Sequence, residues 1–301
     1  MRLSMLTGCV VVILGAAVFL GPPRETRAEG QLQTVRFAIH GPSGERQSAL
    51  AVWPTERAKD ERWPIVIAFH GMGESRQGPE KGYRAWLERY GLGPAFEALL
   101  GNNLTKDDFG GLVRDEELRA LNGELKARPF RGVFVVGIYT PDLLAQVDHP
   151  EKIEAFASWV AKRLVPKVRD TFPVASQTER EVSVDGVSLG GMVALEVGLR
   201  HPEVFGAVGT IQPAIRGREA EFADRAAKAS AQKSQALRLL SSDKDPLLPV
   251  TRKFSEELRA RHVAHTLIVT PGEHDYAFNQ GPGAIELLRF SDRALRDLRS
   301  R

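Results

Sequence analysis

Two short stretches, Ile65-Val66-Ile67-Ala68-Phe69 and Val133-Phe134-Val135-Val136, are apolar at every position. A strand with one wet face alternates apolar and polar residues. A strand apolar on both faces must be buried on both, as in a parallel sheet covered by helices. Six further stretches read as strands, giving Leu32–His40, Ser48–Trp53, Ile65–Phe69, Gly132–Ile138, Glu181–Val187, Phe205–Ile211, Ala236–Leu240 and His265–Val269 in all. The first two are expected to form an antiparallel hairpin across the Gly41–Glu45 turn. The others alternate with helical patterns, which argues for an open, doubly wound α/β sheet of about eight strands with helices on both faces.

One helix is expected over Glu151–Asp170, with Ile153, Phe156, Ala157, Val160, Leu164 and Val168 on one stripe and Pro166 kinking or ending it. Others are expected over Gly190–Arg200, Val250–His262 and Ala284–Arg299. The interval between the third and fourth strands is too long for one helix and two loops. A helical insertion is therefore expected at about 78–131, with helices near Tyr83–Leu100 and Arg114–Lys126. It either shapes a ligand site over the sheet's carboxyl edge or decorates the fold. No repeat or low-complexity linker divides the chain, so residues 29–301 read as one domain.

With 43% apolar and 26% charged residues, the chain has ordinary globular composition. Residues 1–28 hold Arg2, Arg24 and Arg27 against Glu25, so they supply most of the net charge of +3. No dense basic stripe remains, and nucleic acid is not an expected partner. Arg2, the apolar run Leu3–Leu20 and the small residue Ala28 read as a secretory signal cut near Ala28, which implies a secreted or periplasmic protein. Uncleaved, the run would just span a bilayer as an anchor, the one route to a membrane partner. Leu6-Thr7-Gly8-Cys9 resembles a lipoprotein box, but the apolar run lies mostly after Cys9, which argues against lipidation. Cys9 is the single cysteine, so an internal disulfide and a cysteine-based zinc site are excluded. The sequence contains no H-E-x-x-H, P-loop or G-x-G-x-x-G pattern.

The chemistry-bearing motif is Gly186-Val187-Ser188-Leu189-Gly190, with a strand running in and a helix running out. That context fits a nucleophile elbow, in which the flanking residues must be small and the serine stands exposed at the strand's carboxyl end. The helix start adds positive potential for a developing oxyanion. Such a serine needs a base, and the base an orienting acid, in the chain order Ser, Asp or Glu, His. Four histidines follow Ser188. His201 ends a helix, where it suits a capping role, and His262 and His265 flank the start of the last strand, at the wrong edge. His274 lies just past that strand's carboxyl end and is the expected base. The preceding strand runs into Asp243-Lys244-Asp245-Pro246. Asp245 is the preferred acid, with Asp243 as a loop or capping residue. The oxyanion hole needs two backbone donors: Leu189 N–H, and one from His70-Gly71-Met72-Gly73, with Met72 preferred over Gly71. His70 suits packing and hydrogen bonding better than a second base.

These residues resemble the α/β-hydrolase superfamily, and within it the esterase group with esterase D-like and feruloyl or acetyl xylan esterase-like proteins. The resemblance rests on Gly186–Leu195, Arg200–Val208 and Gly272–Phe278. The His70–Gly73 loop and Asp243–Pro249 look equally like acyl-protein thioesterases and carboxylesterases. It implies an α/β-hydrolase fold, a triad of Ser188, Asp245 and His274, and oxyanion donors at Leu189 and Met72. It also implies hydrolysis of a small-molecule or polymer-linked ester, and this chemistry requires no cofactor or metal. The insertion matches no characterised subgroup. A serine peptidase or thioesterase could use the same machinery, and a hydrolase-like binding protein could leave it idle.

Overall fold

A computed structural model describes residues 24–27, 31–55 and 62–299. The sheet has nine strands in the order β1-β2-β3-β5-β4-β6-β7-β8-β9. These are β1 Arg24–Arg27, β2 Leu32–His40, β3 Arg46–Pro54, β4 Ile65–Phe69, β5 Phe134–Ile138, β6 Val182–Gly186, β7 Ala207–Ile211, β8 Ala236–Ser242 and β9 Thr266–Thr270. All eight expected strands are present. The ninth, β1, falls inside the segment read as a signal, where it pairs antiparallel with β2. The rest of the signal reading lies outside the described residues. β2 and β3 form the expected hairpin, with His40 opposite Arg46. From β4 onward every pairing among β4–β9 is parallel.

Both faces of the sheet are dry, as the apolar runs require. Ile65, Ile67 and Phe69 of β4 join a core with Phe156, Leu164, Val193, Phe222 and Phe254. Val66 and Ala68, pointing the other way, join a second core with Phe96, Leu99, Leu125, Leu287 and Leu288. The first core is closed by the helices Leu189–Arg200, Glu219–Gln232 and Leu248–Ala260 and by the helical stretch from Pro150. The second is closed by Ala284–Arg299 and by the segment between β4 and β5, which contains the helices Leu92–Leu100 and Asp115–Ala127.

Two details are added to the expectations. Of kinking or ending, Pro166 does not end its helix: the α-helix Pro150–Trp159 passes through a π-helical turn, Val160–Leu164, into the helix Val165–Thr171. The wider turn carries the chain past a residue that has no N–H to donate. All six stripe residues are buried. The helix Glu219–Gln232 is additional. Its inward stripe of Phe222, Ala223, Ala226 and Ala229 is mostly alanine, a weak apolar signal.

Candidate active site

Because β4–β9 are parallel, the segments after β4, β6, β7, β8 and β9 emerge at one edge. They carry His70–Ser75, Ser188, Gln212, Asp245 and His274 respectively. The turn after β6 is tight. A Cβ on Gly186 would overlap the Gly190 carbonyl oxygen, and one on Gly190 would overlap the Phe69 carbonyl oxygen. Ser188 is held at φ 56°, ψ −113°, a backbone region costly for a side-chain-bearing residue. Its N–H donates to Ile211 O (2.8 Å), and its carbonyl accepts from Met192 and Ala214 N–H. The strain is thus imposed by β7 and the following helix.

The structure brings Asp245 and His274 together: His274 Nδ1–H donates to Asp245 Oδ1 at 2.9 Å. The same oxygen accepts from Leu247 N–H (2.8 Å), and Oδ2 accepts from Ser241 Oγ–H (2.7 Å). Burial alone would raise this carboxyl. The His274, Leu247 and Ser241 hydrogen bonds outweigh it and hold Asp245 below the ordinary carboxylate range. Nε2 of His274 has no hydrogen-bond partner among the described residues. Ser188 Oγ makes no hydrogen bond among the described residues, so the serine–histidine contact is not closed. Such contacts commonly tighten only when substrate binds. Asp243 lies in the loop, where its Oδ1 accepts from Gly272 N–H (3.1 Å) and steadies the histidine-bearing segment.

The donor loop is equally constrained. Gly71 N–H is taken by Tyr90 Oη (3.0 Å), so it is not available to an oxyanion. Gly71 O accepts from His70 Nδ1–H (2.9 Å) and Ser75 N–H (3.2 Å). A trans peptide points its N–H opposite its carbonyl, so anchoring Gly71 O fixes the direction of Met72 N–H. Met72 N–H and Leu189 N–H open helices and have no backbone acceptor among the described residues. His70 is fully buried, and its Nε2 accepts from Thr140 N–H (2.9 Å). Burial lowers its pKa to about 4, against weaker upward pulls from the Gly71 carbonyl and Glu74. Its ring is therefore neutral at ordinary pH and both nitrogens are occupied, as a positioning group requires.

The other histidines stay outside. His201 ends its helix, but its Nδ1 bonds Glu203 (2.9 Å) rather than a helix carbonyl. His265 Nε2 bonds Ser255 Oγ (2.7 Å), and His262 follows the helix that ends at Ala260, with φ 56°. Two residues of the site gave no sequence signal. Gln212, at φ 47°, donates from Nε2 to Ser242 Oγ and to Glu273 O, both at 2.8 Å. It braces the residue next to His274 from β7. Glu74, 2% exposed, accepts hydrogen bonds from Tyr90 Oη–H and from Tyr276 Oη–H (2.6 Å for the latter).

A mostly parallel sheet with a strained serine turn after β6 and an Asp–His pair after β8 and β9 has the arrangement of the α/β-hydrolase fold. Residues 141–277 match the family described as Putative esterase. Solved structures share the fold at low identity. A ferulic acid esterase is 17% identical with a TM-score of 0.61, the match covering 88% of this chain and 100% of the other. An S-formylglutathione hydrolase from Agrobacterium tumefaciens is 15% identical with a TM-score of 0.60, covering 90% and 98%. A ferulic acid esterase from Anaeromyces mucronatus is 15% identical with a TM-score of 0.57, covering 93% and 95%. No curated protein matches the sequence.

Proposed function

We propose that this chain is a serine esterase in which Ser188 carries the acyl group, His274 moves the proton, Asp245 orients His274, and the Met72 and Leu189 amides receive the oxyanion. The observation that carries this reading is the Asp245–His274 hydrogen bond at the sheet edge where the serine turn emerges. Ser188 Oγ attacks the acyl carbon while His274 Nε2 takes its proton. The carbonyl oxygen becomes negative between the two N–H groups. The tetrahedral adduct collapses, the alkoxide leaves with the proton from His274, and the Ser188 ester remains. Water, deprotonated by His274, then releases the acid and restores Ser188. Fixed amides need no reorganisation as charge develops, which is why such donors lower the barrier.

The first test is hydrolysis of p-nitrophenyl esters from acetyl to palmitoyl by the full chain, beside Ser188→Ala and His274→Ala. Turnover by the wild type and loss of most of it in both variants supports the reading. Equal rates in all three proteins reject it, and thioesters and amides become the next substrates to compare. The apolar run Leu3–Leu20 supports export, with residues 1–28 as a signal segment. Cleavage near Ala28 would remove the edge strand β1, and amino-terminal sequencing of the secreted protein tests it.

A further inference from the structure

We propose that Glu74 is a positioning residue for ester hydrolysis, a buried carboxylate that locks the oxyanion loop to the histidine-bearing loop and to the β4–β5 insertion. Three segments far apart in sequence meet on it. Tyr90, from the insertion, donates its hydroxyl proton to Oε2 and with the same oxygen accepts Gly71 N–H. Tyr276, two residues past His274, donates to Oε1 at 2.6 Å. The two rings also touch, with centroids 5.9 Å apart. Tyr276 Oη lies close over Gly73, where a Cβ would stand 3.3 Å from it. The hydrogen bond to Glu74 pushes the Tyr276 hydroxyl up, and burial with the Glu74 charge pushes that of Tyr90 far up. Both therefore remain protonated donors.

The geometry gives this cluster a task beyond packing. A free Gly71 N–H could compete with Met72 N–H for the substrate oxygen. Tyr90 removes it, and Tyr90 holds its orientation because Glu74 takes its proton. On the other side of the same residue, His70 and Ser75 hold Gly71 O. The peptides before and after Gly71 are thus both fixed, and Met72 N–H is the amide left to donate. Through Tyr276 the same carboxylate sets the distance between that amide and His274. Displacing a preorganised donor by a fraction of an ångström raises the barrier while leaving ground-state binding nearly intact.

The proposal rests on the esterase reading, and the test separates the two. Glu74→Gln, Tyr90→Phe and Tyr276→Phe are assayed beside wild type and Ser188→Ala for kcat, KM, and the rate at which a fluorophosphonate labels Ser188. Glu74→Gln is expected to lower kcat about 10- to 100-fold with KM within about threefold, and to slow labelling in parallel. Tyr276→Phe is expected to lower kcat about 3- to 10-fold, and to add little when combined with Glu74→Gln. Because Tyr276 is 43% exposed, this variant carries the test if Glu74→Gln does not fold. An unchanged kcat, a loss confined to KM, or fully additive losses would overturn the clamp. If wild type cleaves no ester yet labels at Ser188, the esterase reading fails alone, and equal labelling rates in wild type and Glu74→Gln then overturn the clamp as well. Absence of both turnover and labelling in wild type overturns both.

Discussion

Asp245 accepts three hydrogen bonds on two oxygens, and one of them fixes His274 with its proton on Nδ1. Asparagine at 245 could present an amide N–H to Nδ1 and so favour the tautomer with Nε2 protonated, which cannot take a proton from Ser188. Asp245→Asn is therefore expected to lower kcat on p-nitrophenyl acetate by roughly 10³- to 10⁴-fold. A loss under about tenfold would remove Asp245 from its role. His70 makes a different prediction. Its pKa falls from 6.5 to about 4 on folding, so between those values the unfolded chain binds more protons than the folded one. Stability from the neutral ring is complete above pH 6.5 and is lost as pH falls towards 4, by at most roughly 3 kcal/mol. Urea unfolding at pH 7, 5.5 and 4.5 should show a steeper decline for wild type than for His70→Asn, and parallel slopes would refute the assignment. At this scale the placement of Ser188, Asp245 and His274 at one sheet edge was legible in the sequence, because each follows a strand end. Glu74, Tyr90 and Gln212 were not. Their partners lie as far off as Tyr276, and only the folded sheet edge brings them together.

Strands legible from unbroken apolar runs are the buried ones, β4 and β5. The sequence reading of β8 also succeeded, although it has a cation at its centre. Arg238 is 1% exposed and pairs with Asp185 of β6 across β7, where Gly209 has no side chain to block the contact. Its second nitrogen donates to Thr210 O at 3.1 Å, and the guanidinium lies 5.1 Å from the Phe290 ring centroid. This pair ties three strands just beneath the serine turn, since Asp185 Oδ1 also accepts Gly186 N–H (2.8 Å). Removing one partner leaves a buried charge uncompensated. Arg238→Met is expected to destabilise the protein by about 3–5 kcal/mol in urea unfolding. Adding Asp185→Asn, which keeps the acceptor for Gly186, should recover most of that loss. If the double variant is no more stable than the single one, the destabilisation comes from packing around β8 rather than from charge. Arg238 and Gly209 carried no pairing signal, because alternation marks faces and not partners across a neighbouring strand. The Glu219–Gln232 helix was missed for a related reason: alanine fills the space against the sheet without raising the apolar contrast.

The whole molecule answers the choice the sequence left open for the insertion, whether ligand site or decoration, with a third arrangement. The segment between β4 and β5 supplies much of one of the two cores, so the sheet face carrying Val66 and Ala68 would be open without it. The helix Leu92–Leu100 lies against Ala284–Arg299, and Phe96 is fully buried with its ring 6.0 Å from that of Phe130. The same segment sends Tyr90 to the loop after β4, where its hydroxyl accepts Gly71 N–H, so the part that closes the core also fixes an amide at the proposed active site. On the proposed mechanism, stability and catalytic geometry belong to one cooperative unit. Phe96→Ala, well away from the serine, should cost about 3–5 kcal/mol, as for an aromatic in the centre of any core. Activity and far-UV circular dichroism should be lost together along a urea titration of wild type. An appended decoration would behave otherwise: Phe96→Ala would cost less than about 1 kcal/mol, and activity would persist or vanish independently of the main transition.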